Sequence, residues 1–253
     1  MRIVLFLMFC GLAFGVQAQP LRIAMEGQFP PFETLDESGQ LKGFNVDIAQ
    51  ALCQAMAQEC QLLRFAWDDL IPALEAQRAD LILASMSITE ARQQRVDFTA
   101  KYAQTPAYFF ARKGLIHEVI VTPRRIAGKR VGVQQGTTYE RLLDDKYAAH
   151  VQLQRFDSAA LMYQALAAGQ IDLVLDDAVS GFFGFLDAPQ GQGFEQVGNQ
   201  VVSPKHFGQG QGIAVRKGDT ALRERLDRAL AVILSNGVYK RIEQRYFKHF
   251  SVY

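Results

Sequence analysis

"ALEAQRADLILA" (73–84) and "ALAAGQIDLVLD" (165–176) carry one pattern twice: an alanine-rich helix end, a short polar turn, an aspartate, then an apolar run. An apolar run of strand length directly behind a helix marks an α/β unit. Two such passages in register predict two similar α/β lobes, not a short-period repeat array. Outward from the first passage, "LRIAM" (21–25), "QLLRFAW" (61–67) and "ADLILASM" (79–86) read as strands. "GFNVDIAQALCQAMA" (43–57) and "DDLIPALEAQR" (68–78) read as helices, the former with Phe44, Ile48, Ala51, Leu52 and Ala55 on one face. Outward from the second, "KRVGVQQ" (129–135), "VQLQRF" (151–156) and "IDLVLDD" (171–177) are strands around "TYERLLDDKYA" and "SAALMYQALAAG" (158–169), a helix ending on a capping glycine. This βαβαβ order implies, in each lobe, a mostly parallel sheet flanked by helices.

The tail returns to strand, "GIAVRKG" (212–218), and to two helices, "DTALRERLDRALAVILSNG" (219–237) and "VYKRIEQRYF" (238–247). Two crossing strands are expected near "YAQTPAYFF" (102–110) and "SPKHFGQGQG" (203–212), forming a two-segment hinge. The expected division is residues 20–104 and 209–253 in lobe 1 and 108–203 in lobe 2.

The first eighteen residues stand apart. Met1-Arg2 is a small basic region, "IVLFLMFCGLAFGV" a continuous apolar run, and "VQA" a small-x-small site. This reads as a secretory signal peptide removed after Ala18. The run is short for a membrane span, and Met8 and Phe9 are too large for lipidation at Cys10. The exported chain then carries 27 Lys+Arg less Arg2 against 26 Asp+Glu, a net charge of zero, which argues against a nucleic-acid partner. Cys53 and Cys60 remain, and an even cysteine count in an oxidising compartment points to a disulfide. The four histidines are scattered without ligand spacing, so neither a metal nor a cofactor is expected.

Ligands of open α/β sheets sit beyond the carboxyl ends of the strands. Those ends hold Glu26 and Phe29, then Trp67, then Ala84, Ser85, Met86 and Ser87. In the second half they hold Gln134, Thr137 and Thr138, and Asp177. In "SMSITEARQQR" (85–95) Thr89 reads as a helix N-cap, yet Arg92 occupies the place where a capping box has Glu or Gln. A cation there opposes the helix dipole. An arginine can, however, fork onto a carboxylate. The amides opening a helix at Thr137-Thr138 suit an anion. Asp177, Ser85 and Ser87 offer acceptors for an ammonium group. Phe29 and Trp67 offer flat faces to an apolar stem or a delocalised cation. Glu26 could meet a positive group at the far end. Taken singly, each has a plain alternative: Glu26 a solvated acid, Trp67 a core residue, Asp177 a helix cap, Arg92 a partner of Glu90. Their shared placement favours one site for an α-amino acid.

These residues resemble the periplasmic solute-binding proteins for polar amino acids that feed ATP-driven importers, in the lysine/arginine/ornithine- and histidine-binding branch. "EGQFPPFE" (26–33), "GFNVDIAQALC" (43–53), "DLIPALEAQRADLILASMSITEARQQRVDFT" (69–99), "GKRVGVQQGTTYE" (128–140), "AGQIDLVLDD" (168–177) and "GQGIAVRKGD" (210–219) follow that pattern in order. The resemblance implies the two-lobe periplasmic binding protein fold and a ligand held between the lobes. It implies that Arg92 grips an α-carboxylate, that Asp177 binds the α-ammonium group, that Phe29 and Trp67 sandwich the stem, and that Glu26 reaches the side chain. It also implies a Cys53–Cys60 disulfide. Glu26 is longer than the usual aspartate, Ala84 replaces a serine, and Tyr139 stands where glutamine is common. The expected function is capture of arginine, ornithine or lysine by a non-enzymatic monomer that delivers it to a membrane permease. An opine, histidine or glutamine ligand, a periplasmic dehydratase on the same fold, and a receptor's sensor domain are the alternatives.

Overall fold

The computed structural model describes residues 19–247 and 251–253; the signal-peptide reading of residues 1–18 lies outside them. In chain order the first half holds Leu21–Met25 (β1), Gln28–Phe29 (β2), Glu33–Leu35 (β3), Leu41–Lys42 (β4), Phe44–Ala55 (α1), Cys60–Arg64 (β5), Leu70–Glu75 (α2), Leu81–Ile82 (β6), Glu90–Gln93 (α3) and Val96–Ala103 (β7). Then come Ala107–Arg112 (β8), Arg130–Gln134 (β9), Thr138–Lys146 (α4), Gln152–Phe156 (β10), Ala159–Ala167 (α5), Leu173–Asp177 (β11) and Phe194–Val201 (β12). Pro204–Phe207 (α6), Gln211–Arg216 (β13), Thr220–Ser235 (α7) and Val238–Tyr246 (α8) complete the described elements.

Two five-stranded sheets result, ordered β5-β1-β6-β13-β7 and β10-β9-β11-β8-β12. In each, four strands run in one direction and a single strand, β13 in the first sheet and β8 in the second, runs antiparallel to both its neighbours. A small antiparallel sheet, β2-β3-β4, stands apart. The period-2 alternation of strand side chains explains why both faces are apolar. Ile23, Met25, Leu81, Ile213 and Val215 pack with α1, α7 and α8 on one face. Ala24, Ile82 and Ala214 pack with Leu70 and Leu74 of α2 on the other. The second sheet divides likewise, with Phe109, Val131, Val133 and Leu173 on the α4 side, and Phe110 and Val174 on the α5 side. Among the described residues no helix is long and apolar enough to cross a membrane.

The sulfurs of Cys53 and Cys60 are bonded, tying α1 to the start of β5. Three local expectations need correction. Trp67 opens a single 3-10 turn, Trp67–Asp69, and does not end a strand. The strand expected over 79–86 is only Leu81–Ile82, because the chain turns at Ser85, whose φ of 52° is left-handed. The second crossing carries the short helix α6 and not a strand, since Pro204 suits a helix start and withholds a ladder donor.

Candidate functional site

One small cavity of about 30 Å³ lies between the two sheets. Glu26, Phe29, Trp67, Ala84, Ser85, Ser87 and Arg92 line it from one side. Gln134, Thr137, Thr138, Tyr139 and Asp176 line it from the other, and Gln211 closes it beside the hinge. Ten of the twelve residues singled out in the sequence therefore meet there. Met86 turns instead into the apolar cluster with Ile82 and Leu74. Asp177 also stays off the wall. Its Oδ1 accepts the N–H groups of Val179 (2.8 Å) and Ser180 (3.3 Å), and its Oδ2 accepts the Thr105 hydroxyl and, at 3.4 Å, the Tyr139 hydroxyl. Adjacent residues of a strand point to opposite faces, so Asp176 takes the wall position. Gln211 is a lining residue that sequence reasoning missed, and Tyr139 and Asp176, noted there as a departure and as a strand-end neighbour of Asp177, were not assigned to the site. The paired aspartates at the end of a strand were the one available signal.

Arg92 is buried in the wall. Its guanidinium lies 5.3 Å over the Trp67 ring, Nη1 donates to Ser87 O at 3.0 Å, and Nη2 donates to Gly136 O at 3.3 Å across the cleft. Both acceptors are neutral carbonyls. Burial, and then the nearby Arg141, pull the group down to about 9. Thr89 does cap the helix, its Oγ1 accepting Arg92 N–H at 3.3 Å. That helix is one turn long, so the opposing dipole is weak and burial without a counter-ion dominates. A carboxylate is the group the guanidinium lacks.

The acids are held the other way. Glu26 is 3 % exposed and its Oε1 accepts Gln134 Nε2 at 2.7 Å across the cleft. Burial, then the neighbouring Glu33, push it up to about 8. Glu33 sits behind it, accepting Glu26 N–H at 2.9 Å and Asn45 Nδ2 at 3.1 Å, and burial raises it to about 7. Burial and the adjacent Asp177 raise Asp176 to about 7, and burial raises Asp177 to about 6. Asn45 also donates to Ser85 Oγ at 3.1 Å, and Ser85 N–H donates to the Tyr102 hydroxyl at 2.9 Å, fixing the turn that brings Ser85 and Ser87 to the wall. Gln211 Oε1 is buried without a hydrogen-bond partner, and Asp176 Oδ2 makes no hydrogen bond of good geometry, with the Tyr163 and Ser180 hydroxyls beside its carboxyl. Gln211 Nε2 meanwhile donates to Thr105 Oγ1 at 3.0 Å. The cavity thus pairs one bare cation with carboxyl groups that hold their protons for want of a cation.

Residues 21–249 match the model of the bacterial extracellular solute-binding proteins, family 3. The chain is 40% identical over 237 residues to the L-arginine-binding protein of Pseudomonas aeruginosa, covering 93% of this chain and 90% of that one. It is 36% identical over 243 residues to the histidine-binding periplasmic protein of Salmonella typhimurium, covering 95% and 92%. An ancestral arginine-binding protein bound to arginine superposes with a TM-score of 0.82 at 32% identity, covering 90% of this chain and 98% of that one. A Salmonella typhimurium periplasmic binding protein described for its high arginine specificity gives 0.83 at 29%, covering 91% and 100%. The chain belongs to the bacterial extracellular solute-binding proteins, family 3.

Proposed function

We propose that this protein is a periplasmic binding protein that captures a basic L-amino acid, such as arginine, ornithine or lysine, and delivers it to the permease of an ABC importer. The observation that carries the reading is the cavity's charge pattern: a buried Arg92 with only carbonyl partners shares the cavity with the carboxyl groups of Glu26 on its own side and Asp176 opposite. A buried unpaired charge costs several kcal/mol, roughly, so the complementary ligand carries one carboxylate and more than one cationic group. Its carboxylate forks onto Arg92, aided by backbone N–H groups at Ser87 and Thr138. Its α-ammonium group goes to Asp177, reached when the long 3.4 Å contact with Tyr139 opens, with Gln211 Oε1 and Ser85 beside it. The stem runs between Phe29 and Trp67, and the side-chain cation meets Glu26.

The lobes, residues 20–104 with 209–253 and residues 108–203, act as a clamp on the hinge, and the closed form docks on the permease as a monomer. The hydrogen bonds Glu26–Gln134 and Arg92–Gly136, which join the two sides, support a closed form held by such contacts. A thermal-shift screen of arginine, lysine, ornithine, histidine, glutamine and octopine tests the reading. Ligand at about a hundred times its Kd adds roughly 2.7 kcal/mol of stability, and Arg92→Ala removes the shift for every ligand. No shift with any of the six would overturn it.

A further inference from the structure

We infer that Asp176 is a second acceptor for the ligand's side-chain cation, forming with Glu26 a fork of two carboxylates that selects a guanidinium over an ammonium group. This rests on the reading of the cavity as a basic amino acid site. The two acids come from opposite sides of the cleft, Glu26 just after β1 and Asp176 near the end of β11, and both line the cavity. Glu26 spends one oxygen on Gln134. Asp176 is 2 % exposed, and its Oδ2 makes no hydrogen bond of good geometry, although the Tyr163 and Ser180 hydroxyls lie beside the carboxyl. The Asp176 carboxyl adds, in small part, to the cost of ionising Glu26. Whatever fills the space between them must be a cation that donates in two directions. A guanidinium is planar, presents five N–H donors on three nitrogens and is weakly hydrated, so it serves two carboxylates at once. An ammonium group is a compact, strongly hydrated point charge, and satisfying one carboxylate leaves the other buried and bare.

Calorimetric titration of the full mature protein with L-arginine, L-lysine and the neutral isostere L-citrulline tests this. The wild type is expected to bind arginine about tenfold or more tighter than lysine or citrulline, the scale of one charge-assisted hydrogen bond. Asp176→Asn is expected to weaken arginine by about tenfold or more while moving lysine by less than about threefold, so the preference collapses. Melting temperature and circular dichroism establish that the variant is folded. A folded Asp176→Asn protein that keeps the wild-type arginine-to-lysine ratio overturns the inference and leaves the functional reading standing. If the variant does not fold, the wild type decides alone, since equal affinity for arginine and lysine, or for arginine and citrulline, also overturns it. A wild type that binds none of the three removes both.

Discussion

Gly136 offers the sharpest test of the clamp. It has φ of +70° and faces Trp67 and Asp68 across the cleft. A Cβ on it would overlap Asp68 Oδ1 and lie 3.1 Å from Trp67 Cδ1. The left-handed backbone costs alanine about 1–2 kcal/mol, in the open and the closed form alike, so that part cancels from closure. The overlap exists only when the lobes meet. Small-to-large crowding of this kind costs about 1–3 kcal/mol. The closed population falls by that amount, and apparent affinity falls with it, by about 5- to 150-fold at 1.4 kcal/mol per tenfold. Gly136→Ala is therefore expected to weaken every ligand by one common factor without changing their ranking, as read by calorimetry. Asp68→Ala in the same chain should recover part of the loss, since the Asp68 carboxylate is the nearest obstacle. An unchanged Kd, or a loss confined to some ligands, would refute the reasoning.

Two further outcomes are expected. Glu26, Glu33 and Asp176 hold protons in the folded state at about 8, 7 and 7, against an unfolded carboxyl near 4. Their contribution to stability is thus full below the unfolded value and is lost as pH rises through the folded values. The unliganded melting temperature should fall from about pH 5 to pH 8 from this source, while affinity for a cationic amino acid rises from pH 6 to 8 with release of up to about one proton per ligand. Titrations at pH 7 in buffers of different ionisation enthalpy read that release, and none at all would sink the idea. Reducing Cys53–Cys60, seven residues apart, removes about 2.5 kcal/mol by loop-closure entropy. At about 2–4 °C per kcal/mol the melting temperature should drop by about 5–10 °C, with ligand Kd unchanged; a reduced protein melting where the oxidised one does would contradict this.

The central strands were legible because their residues are apolar on both faces. "LRIAM" coincides with β1 and "IDLVLDD" encloses β11, while "VQLQRF" encloses β10, an edge strand that is polar and largely exposed. The small sheet β2-β3-β4 was not legible, because its strands have two or three residues and exist through pairing, with Gln28 opposite Thr34 and Thr34 opposite Lys42. Arg92 stood out because it broke a capping rule, and the structure gives the reason: the residue is spent on the cavity while Thr89 caps alone. The choice between Asp176 and Asp177 depends on strand parity, which one extra residue in the preceding turn would reverse. Gln211 was hidden inside "GQGQG", where glycines signalled a turn and nothing signalled that the intervening side chain faces the cavity.

The placement of β13 has a consequence for the order of assembly. β6 receives its second neighbour only from β13, which follows every strand of the other sheet in the chain. As the chain is presented from its N-terminal end, the sheet of β8 to β12 can be completed by local segments alone. The earlier sheet must wait, with β6 presenting an unpaired edge until the last strand arrives. Unpaired edges invite association with other chains. The first half of this chain is accordingly the half whose folding is finished last, and the half with most need of protection while it waits.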